Sequence, residues 1–243
     1  MTSTPVLTLE LLSAFALRRD GVRLPVPVAV ERLLAYVALS NRRVSRARVA
    51  GALWPDADPA RSTGCLRTAL WRLRRVSDGV LLVTGTDLTL CPDVRVDALE
   101  SFAAIKRLQA GELAPTLPGW LTADLLPDWS DEWVVGWRGR WRMLRLHVLD
   151  QLAARLETAG RYSEAVDVAL AALQDEPLRE SAHRSLISAH LAAGNRAEAV
   201  QAYRRLSHLL DSELGVAPSP EIIHLVAQVK LPRADAARRI VGG

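Results

Sequence analysis

Between Arg61 and Val76 the chain reads RSTGCLRTALWRLRRV, with Arg61, Arg67, Arg72, Arg74 and Arg75 and no acidic residue. A guanidinium is a planar fork of donors that matches both phosphate oxygens and the guanine edge. The chemistry open to this stretch is therefore capture of a polyanion, and double-stranded DNA is the first choice. Spacing decides whether the charges can act together. Leu66, Leu70 and Leu73 stand at i, i+4 and i+7 and share one face of a helix. The opposite face holds Arg61, Gly64, Thr68, Trp71, Arg72 and Arg75. A leucine seam behind and arginines in front lets such a helix pack on a small domain and still offer charge. The bland alternative is a solvated basic face with no partner.

Other chemistry finds little support. The sequence has no G-x-x-x-x-G-K-[ST] loop, no G-x-S-x-G elbow and no H-E-x-x-H pair. His183 and His190 lie seven apart without a cysteine partner and read as structural. The carboxylate pairs Asp131-Glu132 and Asp175-Glu176 fall at expected helix ends, where capping explains them. Cys65 and Cys91 are the only cysteines, and no C-x-x-C pair points to zinc or redox work. No catalytic constellation, metal site or cofactor is expected, and the chain reads as a non-enzyme.

At 243 residues, one or two domains of about 150 residues are expected. Nearly half the residues are hydrophobic, enough for a sizeable core. No apolar run approaches the ~18 residues of a membrane span. The start, MTSTPVLTLE, lacks a basic segment followed by an apolar one, so no export signal is read. Two thiols in such a chain are expected to stay reduced, in the cytoplasm. Charge is uneven. Residues 1–97 hold 14 arginines and 9 acids, while the remainder holds 17 bases and 18 acids. That asymmetry favours one nucleic-acid module and one neutral partner module.

The elements that must position the arginines can be read in order. VLTLELL, FALRRDG and VRLP are short strands separated by turns such as Asp20-Gly21. A helix follows from about Ala29 to Ser40, with Leu33, Leu34, Val37 and Ala38 inward. Val44-Ser45 leads into a short helix with Ser45 as N-cap, ended by Trp54-Pro55. Asp58-Pro59 is an N-cap with proline in the first turn, so the arginine helix begins there and stops near Ser77-Asp78-Gly79. VLLVTGTDLTL is a hairpin turning at Gly85-Thr86-Asp87. Cys91 to Ala98 is a short polar connection.

The rest is helical: Glu100 to Gln109, an irregular proline-broken stretch from Gly111 to Asp128, then a long helix from Asp131 to Thr158. Trp129, Trp133, Trp137 and Trp141 recur every four residues from just before this helix into it, a stripe for core packing or, alternatively, a stacking platform. Arg138, Arg140, Arg142 and Arg145 interleave with the stripe, as a solvated or salt-bridged side or a second basic surface. An internal repeat follows. AGRYSEAV from Ala159 recurs as AGNRAEAV from Ala193, an offset of 34 residues, the tetratricopeptide period. The fold class expected is mainly α with a small β component: an N-terminal winged helix-turn-helix followed by an all-α tetratricopeptide-like domain. The division expected is 1–97, 98–232 and a disordered tail at 233–243.

The order strands, three helices, hairpin resembles a winged helix of the OmpR type. LWPDADPARSTGCLRTALWRLRR in the first half, AVQAYRRLSHLLDSELGVAPSPEI near the end and LLPDWSDEW between them resemble the Streptomyces antibiotic regulatory protein family in its short form, a winged helix joined to a bacterial transcriptional activator domain. The resemblance implies an activator that binds promoter direct repeats as side-by-side protomers and recruits RNA polymerase holoenzyme, for many members at secondary-metabolite gene clusters. It implies that the third helix enters the major groove, with Arg72 reading bases, Arg67, Arg74 and Arg75 as phosphate clamps, and Arg61, Thr68 and Trp71 among the DNA-binding residues of the same helix. Arg42, Arg43, Ser45 and Arg46 would meet backbone phosphate, and Thr84 and Thr86 would sit on the wing. Two residues depart from the family pattern: Gly64 stands where a polar residue is common, and Trp71 where a small or polar one is. Trp71 packs against the wing or the next domain, or meets a thymine methyl or sugar. The rival reading is a helical-repeat adaptor whose winged helix has lost DNA binding.

Overall fold

The computed structural model describes residues 6–40, 43–111 and 117–227. Helix dominates, with the strands confined to the first half of the chain. Packing divides the chain into two compact units, residues 1–107 with 122–144 and residues 108–121 with 145–243. This cut differs from the division at 97/98. Composition changes at 97/98, but the packing cut falls inside one continuous helix, between Leu144 and Arg145. The tail expected from residue 233 lies outside the described residues.

In the first unit, β1 (Leu7–Glu10), β2 (Ala16–Arg19) and β3 (Val22–Leu24) form an antiparallel meander. Asp20 and Gly21, at φ 50° and 81°, make the two-residue turn between β2 and β3 that a right-twisted hairpin prefers. The connection expected from Cys91 to Ala98 holds a further strand, β7 (Arg95–Val96), parallel to β1 at the sheet edge. Two residues carry no readable alternation, so only the distant partner makes them a strand. Helix α4 (Asp97–Gln109) accordingly starts three residues before Glu100. Its Asp97 carboxylate accepts the N–H groups of Leu11 (2.8 Å), Leu12 (3.0 Å) and Ala98 (2.6 Å). Burial pushes this carboxyl above its ordinary range, and the three backbone donors pull against that.

Helix α1 (Val28–Leu39) buries Leu33, Leu34, Val37 and Ala38 as expected, and Val30, Ala35, Tyr36 and Leu39 besides. It is therefore covered on nearly all sides. Val44-Ser45 leads into a helix as expected, with Ser45 as its N-cap, but the approach to it is itself paired. Arg43–Ser45 is a strand, β4, paired with β6 (Asp87–Leu90), which pairs in turn with β5 (Leu81–Thr84). Helices α2 (Arg46–Leu53) and α3 (Pro59–Val76) lie between β4 and that hairpin.

Helix α5 (Glu132–Thr158) carries Trp133, Trp137 and Trp141 of the tryptophan stripe, and Trp129 precedes it. Trp141 is fully buried; its Nε1–H donates to the Ala123 carbonyl at 2.8 Å and its ring meets Phe102 edge-on at 5.1 Å. Trp133 packs edge-on against Tyr36 and Trp129, and Trp129 stacks on Phe15. Trp129, Trp133 and Trp141 are thus packing for the first unit, while Trp137 is half-exposed. The interleaved arginines divide. Arg138 turns inward and donates to the carbonyls of Leu125, Leu126 and Trp129. Arg145 is fully buried and pairs with Asp175 within the second unit. Arg140 and Arg142 are exposed.

The second unit packs the later turns of α5 with α6 (Tyr162–Asp175), α7 (Glu180–Ala192), α8 (Arg196–Leu214) and α9 (Pro220–Ala227). The repeated segments open α6 and α8 in the same way. Gly160 and Gly194 adopt φ of 73° and 80°, and Ala165 and Ala199 are buried one turn later. The positive φ explains the glycine in both copies. Leu186, Ile187, Leu206, Leu210, Ile222 and Val226 fill the core between these helices. His183 is buried there and donates Nε2–H to the Pro177 carbonyl at 2.9 Å, while burial lowers its pKa. Among the described residues no group of three His, Cys, Asp or Glu could hold a metal, and no helix is long and apolar enough to cross a membrane.

Candidate nucleic-acid interface

The arginine helix forms for local reasons. Asp58 Oδ1 accepts the N–H groups of Ala60 and Arg61, both at 3.0 Å, and Pro59 opens the first turn, where its missing N–H costs nothing. Leu66, Ala69, Leu70 and Leu73 are buried and fix which face looks outward. Arg61, Arg67, Thr68, Trp71, Arg72, Arg74 and Arg75 are all exposed. Arg61, Arg67, Thr68 and Arg72 line one open groove of about 610 Å³, with Gly64 in its wall. This first set of expected residues is brought together by a single helix.

Trp71 is 57 % exposed, and the Arg75 guanidinium lies over its ring, 4.9 Å from the centroid. The pair is one turn apart on α3, so an i, i+4 cation–π contact holds Arg75 in place. An indole in this place steers an arginine, a role the sequence did not reveal.

Gly64 has no special conformation to justify it. A Cβ there would meet nothing nearer than an Arg67 guanidinium nitrogen at 3.9 Å, ordinary contact. Gly64→Ala is therefore expected to stabilise the first unit by about 1 kcal/mol, the helix-propensity difference. Thermal melting checks this; a fall in melting temperature would reveal a need for glycine that the geometry does not show.

A second cluster assembles around the wing turn. Thr84 and Thr86 are exposed and flank Gly85, whose φ of 58° allows the two-residue turn Gly85-Thr86. Asp87 belongs to β6 rather than to that turn. The Arg46 N–H donates to the Thr86 carbonyl at 2.7 Å, and Ser45 lies opposite Asp87 in the β4–β6 register. Ser45 Oγ caps α2 by accepting the Arg48 N–H at 3.3 Å. The start of α2 and the wing tip are thus one surface. Arg43 is exposed but held by Asp87, with Nη2 at 2.7 Å from the carboxylate. Arg46 is only half exposed. Arg42 lies outside the described residues. No sequence signal marks Asp87 as the partner of Arg43, since the two stand 44 residues apart.

The family model of the bacterial transcriptional activator domain matches residues 118–230. Regulatory protein AfsR of Streptomyces griseus is 30% identical over 84% of this chain, and AfsR of Streptomyces coelicolor 31% identical over 90%. The chain spans only 22% and 23% of those proteins. Transcriptional regulatory protein MoaR1 of Mycobacterium bovis is 28% identical over the whole chain and 86% of its own length. Among solved structures, Mycobacterium tuberculosis EmbR in complex with a low affinity phosphopeptide superposes with a TM-score of 0.72 at 22% identity. That likeness covers 93% of this chain and 65% of EmbR, and it shows the fold. A winged helix followed by an activator domain of paired helices defines a class of bacterial transcriptional regulator. Residues 118–230 are similar to the activator domain of that class, and most of the chain is similar to the AfsR regulators.

Proposed function

We propose that this protein is a sequence-specific DNA-binding activator of transcription. The observation that carries the reading is α3 itself: five exposed arginines on a helix whose opposite face is locked into the core by Leu66, Leu70 and Leu73. Such a helix, flanked by a wing and by the capped start of α2, suits the major groove with phosphate contacts on either side. Residues 1–97 carry the DNA contacts and residues 98–232 the contacts with a second protomer and with RNA polymerase holoenzyme. Side-by-side protomers on promoter direct repeats, upstream of a secondary-metabolite gene cluster, complete the reading.

Footprinting on DNA upstream of its own and neighbouring genes, across a salt series, tests it. Two protected half-sites about 11 or 22 base pairs apart are expected, near-integral turns of the duplex. If each protomer neutralises about four phosphates, the log–log salt slope is near −3.6 per protomer. Arg72→Ala is expected to relax base preference at a cost of about 1–3 kcal/mol, and Arg75→Ala to weaken all sequences alike. Full retention of affinity by both variants would refute the groove assignment. The adaptor reading draws on Gly64, which offers no base contact, and on exposed Trp71. It requires salt-insensitive partner capture and no protected DNA.

A further inference from the structure

A second basic groove, of about 750 Å³, lies within the first unit and is lined by no residue of α3. Tyr36 and Ser40 at the end of α1 form one wall, and Ser45 and Arg48 of the β4–α2 junction contribute to its lining. The other wall is the start of α5, with Trp133, Trp137 and Arg140. Three arginines and one acid line this space. Arg43 is spoken for by Asp87, so the charge left to a ligand is that of Arg48 and Arg140. Both are exposed, and no ion pair holds either among the described residues. Arg140 is not loose, however. Its guanidinium lies over the Trp137 ring, 5.5 Å from the centroid. In the same wall the Trp133 indole N–H is buried without an acceptor among the described residues.

We propose that this groove holds the sugar–phosphate backbone of the bound duplex, with Arg48 and Arg140 on phosphate and Trp137 positioning Arg140. The inference rests on the DNA-binding reading above and extends it to α5, in the stretch that matches the activator domain. Continuity argues for a DNA strand over a free anion. Arg43, Ser45 and Asp87 belong both to this groove and to the surface that joins the start of α2 to the wing. A strand crossing the wing tip therefore continues into it. Phosphate is the matching chemistry, because two guanidinium groups lining one groove beside flat indoles offer charge and donors but no base-edge code.

The test uses the full chain and the duplex site located by footprinting. Arg48→Ala and Arg140→Ala are each expected to reduce the salt slope by about 0.9, one phosphate contact each, and to lose sugar protection at the outer edge of the footprint. Base preference and thermal melting stay unchanged, since both side chains are exposed. Trp137→Leu is expected to weaken binding in the presence of Arg140 and to add nothing once Arg140 is alanine. Arg140→Glu lowers affinity further than Arg140→Ala. If Arg72→Ala relaxes base preference while the Arg48 and Arg140 variants keep the full slope and footprint, this groove is not a backbone site and the DNA reading survives. Failure of the intact protein to bind any duplex overturns both. Inorganic phosphate and adenosine monophosphate, titrated without DNA and followed by tryptophan fluorescence, should give no saturation. A saturable change that disappears with Arg48 and Arg140 would assign the groove to a free anion instead.

Discussion

Trp141→Ala is expected to destabilise the first unit by about 3–5 kcal/mol, the range for removing a buried aromatic. The side chain is completely buried, so truncation leaves a cavity that the helix backbone cannot close. It also removes the edge-on contact with Phe102 and the hydrogen bond to the Ala123 carbonyl. Both partners belong to the first unit, as Trp141 does. A melting temperature lower by roughly 10 °C is the readout. Because the same unit carries α3, DNA affinity is expected to collapse at temperatures where the parent protein still binds. Trp137→Ala, at a half-exposed position, serves as the contrast and should cost far less. Equal losses from the two would mean that the stripe acts as one surface, against the burial seen.

Arg145→Ala, one helical turn later, is expected to strike the other unit by a similar amount. Arg145 is fully buried and paired with Asp175, whose side chain is also largely covered. Removing one member of a buried ion pair typically costs about 3–5 kcal/mol. The double variant Arg145→Met with Asp175→Leu removes both charges and should recover most of that loss, because a buried pair hardly outcompetes well-packed apolar groups. Denaturant unfolding of the parent, the single and the double variant measures the cycle. A double variant no more stable than Arg145→Ala would show that the pair contributes more than the desolvation of its members. Together the two substitutions place the boundary between units inside α5. One turn separates Trp141, whose partners lie at residues 102 and 123, from Arg145, whose partner lies at residue 175.

The features legible in the amino-acid sequence were those governed by neighbours along the chain. Asp58 and Ser45 cap the helices expected of them, because a cap reaches only two or three residues ahead. The leucine seam of α3 and its arginine face follow from the 3.6-residue period alone. The glycine that opens each repeat, and the buried alanine after it, were likewise local patterns. The likeness to a bacterial transcriptional activator domain was legible for the same reason, since its marks are continuous stretches of chain.

Tertiary structure alone decided whatever depends on a distant partner. β4 and β7 are two or three residues long, too short to show alternation, and exist because β6 and β1 supply their hydrogen bonds. Arg138, Arg140, Arg142 and Arg145 look alike in sequence, yet two turn inward and two outward. Their fates depend on the carbonyls at residues 125–129 and on Asp175, none of which the helix period can locate. The engagement of Arg43 by Asp87, and the assembly of Arg48 and Arg140 around one groove, are of the same kind. Charge read along a chain gives the number of guanidinium groups; only packing gives which of them remain available to a phosphate, because each one satisfied within the fold is withdrawn from the surface.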